Sequence, residues 1–588
     1  MKSLPTWNLD AFYKNPKDPN IEKDIQWGAD QVQNFVQKYE NKIKDLSAEE
    51  LKQAIEKYEE IEEKLSHIIC YAYVYFAEDM GDEARTNFLQ KVQEKVTEIS
   101  SSLVFFTLEI NDIQESNLDK MYTESDGLNR YKPWLDQVRA YKPYQLSKSI
   151  EKVLHEKRLA SRDNWVRLYN EIFSRVRFDL DGEKLPISDI LNRLSDQDPK
   201  NREAAAKAFA AGLKEVVPSI TLIMNTIVKD KAIEDHWRQY KHPISSRNID
   251  NQVEDDVVET LIQSVKGQYF NLSHRYYALK AKWMGKKSLP YWDRNAPVLE
   301  TEDQKISWDK AQEIVLKAYG DFHPQLSEIA ELFFKNNWID AALKPGKDSG
   351  AFSHPMVPSK HPVILLNYHG KVRDVMTLAH ELGHGIHQYL SRDQGHLMAD
   401  TPLTLAETAS VFGEMLTFQS LLKTAETNKQ KKAIIASKVE DMLNTVVRQV
   451  AFCTFELKVH DARKAGELTG DQIAEIWMDV QKESLGPAID LYPEYAVYWS
   501  YVSHFFHAPF YVYAYAFGDC LVNSLYKTYE NNPDGFAEKY ITLLKAGGTL
   551  RHKELLKPFG LDTTNPEFWN QGLTVISDLI DQLEAFTE

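Results

Sequence analysis

The chain has 588 residues, of which 43% are apolar and 27% are charged, and its formal net charge is -17. This apolar share is enough to build a large packed core, so an intrinsically disordered protein is excluded. The acidic balance argues against nucleic acid as a partner, because a surface that binds phosphates needs clustered Lys and Arg.

The cysteine content and the sequences at the two ends of the chain indicate in which cellular compartment the protein resides. Cys70, Cys453 and Cys520 lie far apart and form no C-x-x-C pair, and three cysteines cannot all be paired in disulfides. The sequence begins without the apolar stretch of a secretory signal, and it ends in AFTE without a retention or lipidation signal. We therefore expect a cytoplasmic protein.

Amphipathic helices are predicted along most of the chain. Apolar residues recur at helical spacing among dense Glu and Lys over residues 30–112, and the pattern continues over 148–177. The stretches 201–237 and 431–485 have the same character. Few Pro, Gly or Ser tracts interrupt them, so we predict a mainly α protein with one large body or two lobes.

Residues 344–368 depart from this pattern. Gly, Pro and Ser surround two short runs with strand character. The apolar run His361–Tyr368 is typical of an inner strand, and Gly350–Ser353 is typical of an exposed one. We predict a small β-sheet here, followed by a helix that begins near Lys371.

That helix carries the motif H-E-x-x-H. His380 and His384 are four residues apart, which places them about 40° apart around a helix and roughly 6 Å apart along it. Both imidazoles can therefore bind one ion, and Glu381 beside them can deprotonate a water on the metal. Two surface histidines on an amphipathic helix are the alternative. Gly383 and Gly385 disfavour it, because each weakens the helix by about 1 kcal/mol relative to Ala.

A catalytic zinc site usually has three protein ligands and one open position. His387 shares the face of His380, but its Cα would lie about 10.5 Å further along the axis, which suits one tetrahedral ion poorly. Glu407, on a second predicted helix, is the preferred third ligand, although Thr404 and Glu407 also fit a capping box. Glu414 lies seven residues further on and could orient a ligating histidine, or it could be solvated.

The run from Tyr501 to Leu525 is long enough to span a membrane. It contains His504, His507, Pro509, Asp519 and several tyrosines, so a buried helix is the better prediction and no membrane is expected. Tyr511 and Tyr515 would share a helical face, and Tyr513 would point elsewhere. Aromatic residues at this spacing most often pack in a core.

Four segments together resemble the oligoendopeptidase F branch of the thimet-oligopeptidase family. They are GAFS, HELGHGIHQ, AETASVFGE and HFFHAPFYVYAYAFG, and the similarity covers residues 291–548, with a weaker likeness in the N-terminal half. The resemblance implies one zinc ion held by His380, His384 and Glu407, with Glu381 as the catalytic glutamate. It also implies a two-lobed helical clamshell around a deep channel that admits short unfolded peptides.

The resemblance assigns further roles. Gly350, Ala351 and Phe352 would offer backbone hydrogen bonds to an extended peptide. His387, whose spacing on the helix disfavours it as a ligand, is expected from that spacing to have a neighbouring or substrate-facing role. Phenol and imidazole donors from Tyr515, Tyr511 and His504 would stabilise charge on the scissile carbonyl. His507 is a rival to His504. The predicted domains are a helical N-terminal region, 1–195, which includes an oligoendopeptidase F segment at about 113–183, and a catalytic domain, 196–588.

The predicted function is that of a cytoplasmic zinc endopeptidase that hydrolyses oligopeptides, with no obligate protein partner. A zinc carboxypeptidase or dipeptidyl carboxypeptidase on a similar scaffold is the nearest alternative, and it would need an Arg or Lys that reads the substrate terminus. A non-catalytic peptide-binding protein is the alternative of another class. It is disfavoured because a structural zinc site usually has four ligands, often with cysteine.

Overall fold

The structure is a computed structural model, and it describes residues 4–158, 160–297 and 305–586. Helices dominate these residues, as predicted. In chain order the helices are α1 Pro19–Tyr39, α2 Ala48–Ala77, α3 Glu83–Ser100, α4 Val104–Ile110, α5 Glu115–Glu124, α6 Asp126–Arg130, α7 Lys132–Ala140, α8 Lys148–Arg158, α9 Arg162–Arg175, α10 Ile187–Arg193, α11 Pro199–Arg238, α12 Ser245–Asp250, α13 Asp255–Gly267, α14 Arg275–Trp283, α15 Trp308–Phe322, α16 Pro324–Lys335, α17 Val372–Ser391, α18 Leu403–Thr424, α19 Asn428–Thr445, α20 Val447–Arg463, α21 Gly470–Leu485, α22 His504–His507, α23 Tyr513–Asn531, α24 Phe536–Lys545, α25 His552–Leu556 and α26 Pro566–Ala585. The strands are β1 Phe178–Leu180, β2 Glu183–Leu185, β3 Leu289–Pro290, β4 Ile339–Asp340, β5 Phe352–His354, β6 Val363–Leu365 and β7 Ile489–Asp490.

The chain forms two compact units, each built from three separate stretches. Unit 1 comprises Met1–Pro143, Asp303–Lys423 and Tyr529–Gly560, and unit 2 comprises Tyr144–Glu302, Thr424–Thr528 and Leu561–Glu588. The division of the chain at residue 195 stays a prediction.

Unit 1 contains the predicted β-sheet. Its strand order is β4-β6-β5, with β6 parallel to β4 and antiparallel to β5. All three residues of β6 are buried, so this apolar run is the inner strand, and β5 is an edge strand, as expected. Helix α17 begins at Val372, next to the predicted start, and it packs on β5 and β6.

A buried lysine stabilises this sheet. The Nζ atom of Lys347 lies 2.6 Å from Oδ1 of Asp340 and donates to the backbone carbonyls of Ala342 and Leu366, at 2.9 and 2.8 Å. The side chains of Lys347 and Asp340 are both fully buried, and Lys344 bonds the second carboxylate oxygen of Asp340 at 2.7 Å. The network connects β4 and β6 to the loop that leads to β5.

Unit 2 is organised around α11, whose N-terminus is capped by the side chain of Asp198. The helix packs against α9 and β1 and buries Ala205, Phe209 and Leu213. Among the described residues, α11 is the one helix long and apolar enough to cross a membrane by length and composition alone. Of its most apolar window, 44% is buried in the structure, as in many core helices of globular proteins.

The apolar run 501–525 is not one continuous helix. Helix α22 ends at His507, and α23 begins at Tyr513. Pro509 lies between them, where it cannot donate a helical hydrogen bond and restricts the residue before it, and Phe510 has a positive φ of 60°. The predicted single helix is therefore wrong, but much of the run is buried, as expected.

Candidate metal centre and active site

The site in unit 1 forms where α17 and α18 approach closely. A Cβ atom at Gly383 would lie 2.6 Å from the Cα of Ser410 and would also clash with the carbonyl oxygen of Ala409. At Gly385 a Cβ would lie 2.6 Å from the ring of Phe333. These contacts explain why the helix tolerates two glycines: at Gly383, the backbones of α17 and α18 meet without a side chain between them.

This approach brings the predicted ligands together. The Nε2 atoms of His380 and His384 are 3.1 Å apart, and Oε2 of Glu407 lies 3.5 Å from the first and 3.6 Å from the second. One ligand atom from each residue lies within 4.8 Å of the other two, a spacing that can hold a metal ion. Two imidazoles and a carboxylate are donors that suit zinc, so these residues fit the predicted ion.

Both histidines are oriented through their surroundings. Nδ1 of His380 lies 2.6 Å from the carboxylate of Glu414, which leaves Nε2 to face Glu407. Although burial alone would lower the pKa of His380, the hydrogen bond and charge of Glu414 raise it. Burial lowers the pKa of His384, which also hydrogen bonds the backbone of Ala406.

Glu407 does not occupy a capping box. The carbonyl of Pro402 accepts hydrogen bonds from the backbone of Leu405 and Ala406, so Pro402 is the N-cap and Thr404 lies inside the first turn. The hydroxyl of Ser410 donates to the Glu407 carboxylate at 2.6 Å. Glu407 therefore faces the two histidines and is held there from its own helix.

Glu381 is 5% exposed, and it lies beside the ligand cluster. Burial raises the pKa of its carboxyl to about 7; the charge of His380 opposes this rise, and the carboxylates of Glu407 and Glu414 add to it. The carboxyl also accepts a hydrogen bond from the backbone N–H of Ser353 in β5. A carboxyl that titrates near neutrality can both accept and return a proton.

His387 is not part of the ligand cluster. It is 4% exposed, and among the described residues its Nε2 atom has no hydrogen-bond partner. Burial lowers its pKa to about 3, so the ring is neutral. Together with His384, Gln388, Met356 and Pro358, it lines a cavity of about 270 Å³.

The edge strand begins later than predicted. Gly350 and Ala351 precede β5, and the Gly350 carbonyl accepts a hydrogen bond from Asn367 at 3.2 Å. Phe352, the first strand residue, packs against the rings of Trp7 and Tyr73. Ser353, the next strand residue, donates its backbone N–H to the carboxyl of Glu381. Gly350, which was predicted to belong to the strand, lies outside it.

In unit 2 the structure brings together three residues of the tyrosine-rich segment. The ring of His504 stacks on Tyr511 with centroids 5.8 Å apart, and its Nε2 lies 3.5 Å from Oη of Tyr515. The rings of Tyr511 and Tyr515 are 5.2 Å apart. His507 is separate: its Nε2 lies 2.7 Å from Oδ1 of Asn170. Tyr513 is fully buried, so it points elsewhere, as predicted.

Sequence reasoning missed several supporting residues. Oη of Tyr319 donates to the carbonyl of Ala379 at 2.6 Å and leaves no room for a Cβ at Gly413. Gln388 exchanges hydrogen bonds with Ser353, through the hydroxyl at 2.9 Å and the carbonyl at 3.3 Å. Gly413, a glycine inside a predicted helix, was the sequence signal that could have indicated the close contact with Tyr319. Nothing in the local sequence pointed to the contact of Gln388 with Ser353.

Two histidines one helical turn apart, a carboxylate from a second helix and a buried glutamate beside them are the arrangement of metal-dependent peptidases. The model of Peptidase family M3 matches residues 193–575, and the model described as Oligopeptidase F matches residues 109–178. The chain belongs to Peptidase family M3, in its oligopeptidase F branch.

Individual relatives and solved structures are similar to this chain over nearly its whole length. Oligopeptidase PepF of Bacillus subtilis (strain 168) is 26% identical over 596 residues, which cover 99% of this chain and 87% of the relative. A crystal structure of a protein from Chlamydophila abortus has a TM-score of 0.85 and 22% identity, covering 99% of this chain and 98% of that one. Oligoendopeptidase-F of Enterococcus faecium has a TM-score of 0.73 and 20% identity over 96% and 98%. The solved structures share the mainly α fold.

Proposed function

We propose that this peptidase is a zinc-dependent endopeptidase of the cytoplasm that hydrolyses short unfolded oligopeptides. The convergence of His380, His384 and Glu407 beside the buried Glu381 is the observation that carries the proposal. When bound, zinc would polarise the scissile carbonyl and make water more acidic. The relatives' names, oligopeptidase and oligoendopeptidase, support a peptide substrate.

Glu381 is the general base of the proposed reaction. It accepts a proton from the attacking water, whose oxygen bonds to the carbonyl carbon of the scissile peptide. The same carboxyl then returns the proton to the leaving nitrogen as the C–N bond breaks. Burial of the carboxyl supports this double role, since it raises the pKa to about 7.

The other residues bind and orient the peptide. The edge strand β5 offers backbone hydrogen bonds to an extended substrate, which would be indifferent to its side chains. His504, Tyr511 and Tyr515 are proposed to donate hydrogen bonds to the carbonyl oxygen as negative charge develops on it. His387 would contact the substrate through the cavity that it lines.

Metal content and chelator-sensitive cleavage test this function together. The purified protein should contain one zinc ion per chain and should cleave an internally quenched oligopeptide. Cleavage should stop with a chelator and return when zinc is restored. Cleavage that persists in the protein after its metal is removed would contradict the proposal.

The third ligand is tested by comparing two variants. Glu407→Ala should lose most of its zinc, because only two imidazoles would remain, whereas His387→Ala should keep it. Full zinc in Glu407→Ala and loss in His387→Ala would assign the third ligand to His387 instead.

A further inference from the structure

Unit 2 contains two arginines, Arg294 and Arg448, that form no ion pair with the acidic residues that the structure describes. Arg294 is 9% exposed, and Arg448 is half-buried. Among the residues that the structure describes, neither guanidinium forms an ion pair. The Arg448 side chain donates a 3.0 Å hydrogen bond to Oη of Tyr501 and makes a cation-π contact with the ring of Phe452. An unpaired guanidinium in a buried position lowers stability, unless a ligand completes it.

The two arginines share a set of phenols. Arg294 interacts electrostatically with Tyr277, Tyr495 and Tyr501. Arg448 interacts with Tyr277 and Tyr495 as well, and it bonds Tyr501 directly. The guanidinium groups therefore lie close to the same aromatic residues, where water competes weakly for their N–H donors.

Glu440 lies near this cluster, and its charge acts on Arg294 after those of the tyrosines, but its hydrogen bonds go to other residues. Oε1 of Glu440 accepts hydrogen bonds from Lys280 at 2.6 Å and from Tyr276 at 2.7 Å. Lys280 is fully buried, so this ion pair balances the lysine. Within the part of the chain that the structure describes, Glu440 is in an ion pair with Lys280 and not with Arg294 or Arg448.

We propose that Arg294 and Arg448, with the hydroxyl of Tyr501, form a binding site for a carboxylate carried by the peptide substrate. A guanidinium presents parallel N–H donors that match the two oxygens of a carboxylate, and a phenol can add a third hydrogen bond. The α-carboxylate at the peptide C-terminus is the expected source. An Asp or Glu side chain of the peptide carries the same chemistry.

The inference rests on the proposed peptidase function for the nature of its ligand. The pKa of His504 is lowered mainly by burial, next by the charge of His507 and then by that of Arg448. This interaction indicates that Arg448 lies near His504. The site is thus close to residues proposed to contact the substrate. An arginine that binds the C-terminal carboxylate of the peptide is also the residue that the alternative function, a carboxypeptidase, would require.

Binding to the zinc-loaded Glu381→Gln protein tests the site without cleavage. The probes are three fluorescent octapeptides of one sequence: one with a free C-terminus, one amidated, and one amidated with an internal Gln replaced by Glu. The free acid should bind roughly tenfold or more tightly than the amide, as expected for a charge-assisted hydrogen bond. Added Arg448→Gln or Arg294→Gln should remove most of this preference.

Matched controls separate the site from general charge effects. Arg193→Gln removes one exposed positive charge of the same unit and should keep the preference. Arg448→Lys should restore part of it. If Arg294→Gln fails to fold by circular dichroism, Arg448→Gln carries the test, since that residue is only half-buried.

Each outcome has one interpretation. Stronger binding of the Glu-containing amide would sustain the carboxylate site and assign it to a side chain. Equal binding of all three peptides to the parent protein, or an unchanged preference in both Gln variants, would overturn the proposal. In active enzyme the effect should appear in KM rather than kcat. An absence of cleavage with intact binding preference would instead refute the peptidase function alone.

Discussion

Glu414 determines which nitrogen of His380 is available at the candidate metal centre. Its carboxylate bonds Nδ1 at 2.6 Å, so Nε2 faces His384 and Glu407. Outer partners of this type typically strengthen metal binding because they fix the ring and make the free nitrogen more basic.

Glu414→Gln should therefore weaken zinc binding roughly 10- to 100-fold while the fold is retained. Competition with a chromogenic chelator measures the affinity. The exposed Glu328 in the same unit offers a matched control, and Glu328→Gln should bind zinc as the parent does. Equal affinity in the two variants would show that Glu414 does not support the ligand.

At the scale of single residues, the sequence predicted His380 and His384 because helical geometry spaces them within α17, and it placed Glu407 on a second predicted helix, α18. Glu414 was predicted because it lies seven residues after Glu407, on the same face of α18. The Ser353 contact with Glu381 could not be predicted, since it depends on how a strand packs across a helix. The grouping of Arg294 and Arg448 around shared tyrosines depends on tertiary contacts in the same way.

The two helices of the metal centre are held by a contact that only glycine permits. Gly383→Ala should force α17 and α18 apart, because its Cβ would meet the backbone of Ala409 and Ser410. We expect a loss of about 1–3 kcal/mol in the free energy of unfolding and weaker zinc binding. Chemical denaturation and chelator competition measure the two effects.

The control for this change is Gly267→Ala, at the end of α13. A Cβ there meets nothing within 4 Å, so the variant should be neutral or slightly more stable. An unaltered metal affinity and stability in Gly383→Ala would contradict the account of how the helices approach.

The sheet beside the site depends on the buried Lys347. Lys347→Met should cost about 3–5 kcal/mol in the free energy of unfolding, because Asp340 would keep a buried charge with only Lys344 as partner. Hydrogen exchange should also quicken in β5. Lys335→Met, which removes an exposed ion pair, should cost less than about 1 kcal/mol. Similar losses in both variants would rule out the role of Lys347.

At the scale of elements, the amphipathic patterns predicted the helical regions and the inner strand β6 well, since burial of one face dictates them. The break between α22 and α23 was missed. Pro509 was visible, but the apolar run around it was continuous, and the backbone of Phe510 is stabilised by a distant side chain, Glu456, which accepts its N–H at 2.8 Å.

Across the whole molecule, several buried histidines should make the protein sensitive to acid. Burial lowers the pKa of His67 and of His354 to about 4, and that of His460 to about 3. Their unfolded-state pKa is near 6.5, so the unfolded chain binds more protons between these values. The contribution of these histidines to stability should therefore fall as the pH drops from 6.5 toward 4.

His67→Phe isolates one of these contributions. Its difference from the parent in the free energy of unfolding should change by about 1 kcal/mol per pH unit at most between pH 6.5 and 4, and should stay constant above pH 7. Urea unfolding at several pH values measures it. Parallel curves for the two proteins would show that His67 does not titrate on unfolding.

Two lobes were among the expectations from the sequence, but which stretches form each compact unit could not be predicted, because each unit gathers three distant stretches of the chain. Family membership, in contrast, was accessible from a few motifs, since their spacing reflects the ligand set and the helices that carry it. The proposed chemistry then rests on one buried carboxyl, Glu381, beside that ligand set.

Zinc content and cleavage rate, measured together for the parent and Glu381→Gln, test the central claim most directly. Both proteins should hold one zinc ion, because Glu381 is not among the proposed ligands. The variant should cleave an internally quenched oligopeptide roughly 100- to 10,000-fold more slowly, as expected when a general base is removed. A variant that retains zinc and cleaves at the parent rate would contradict the account.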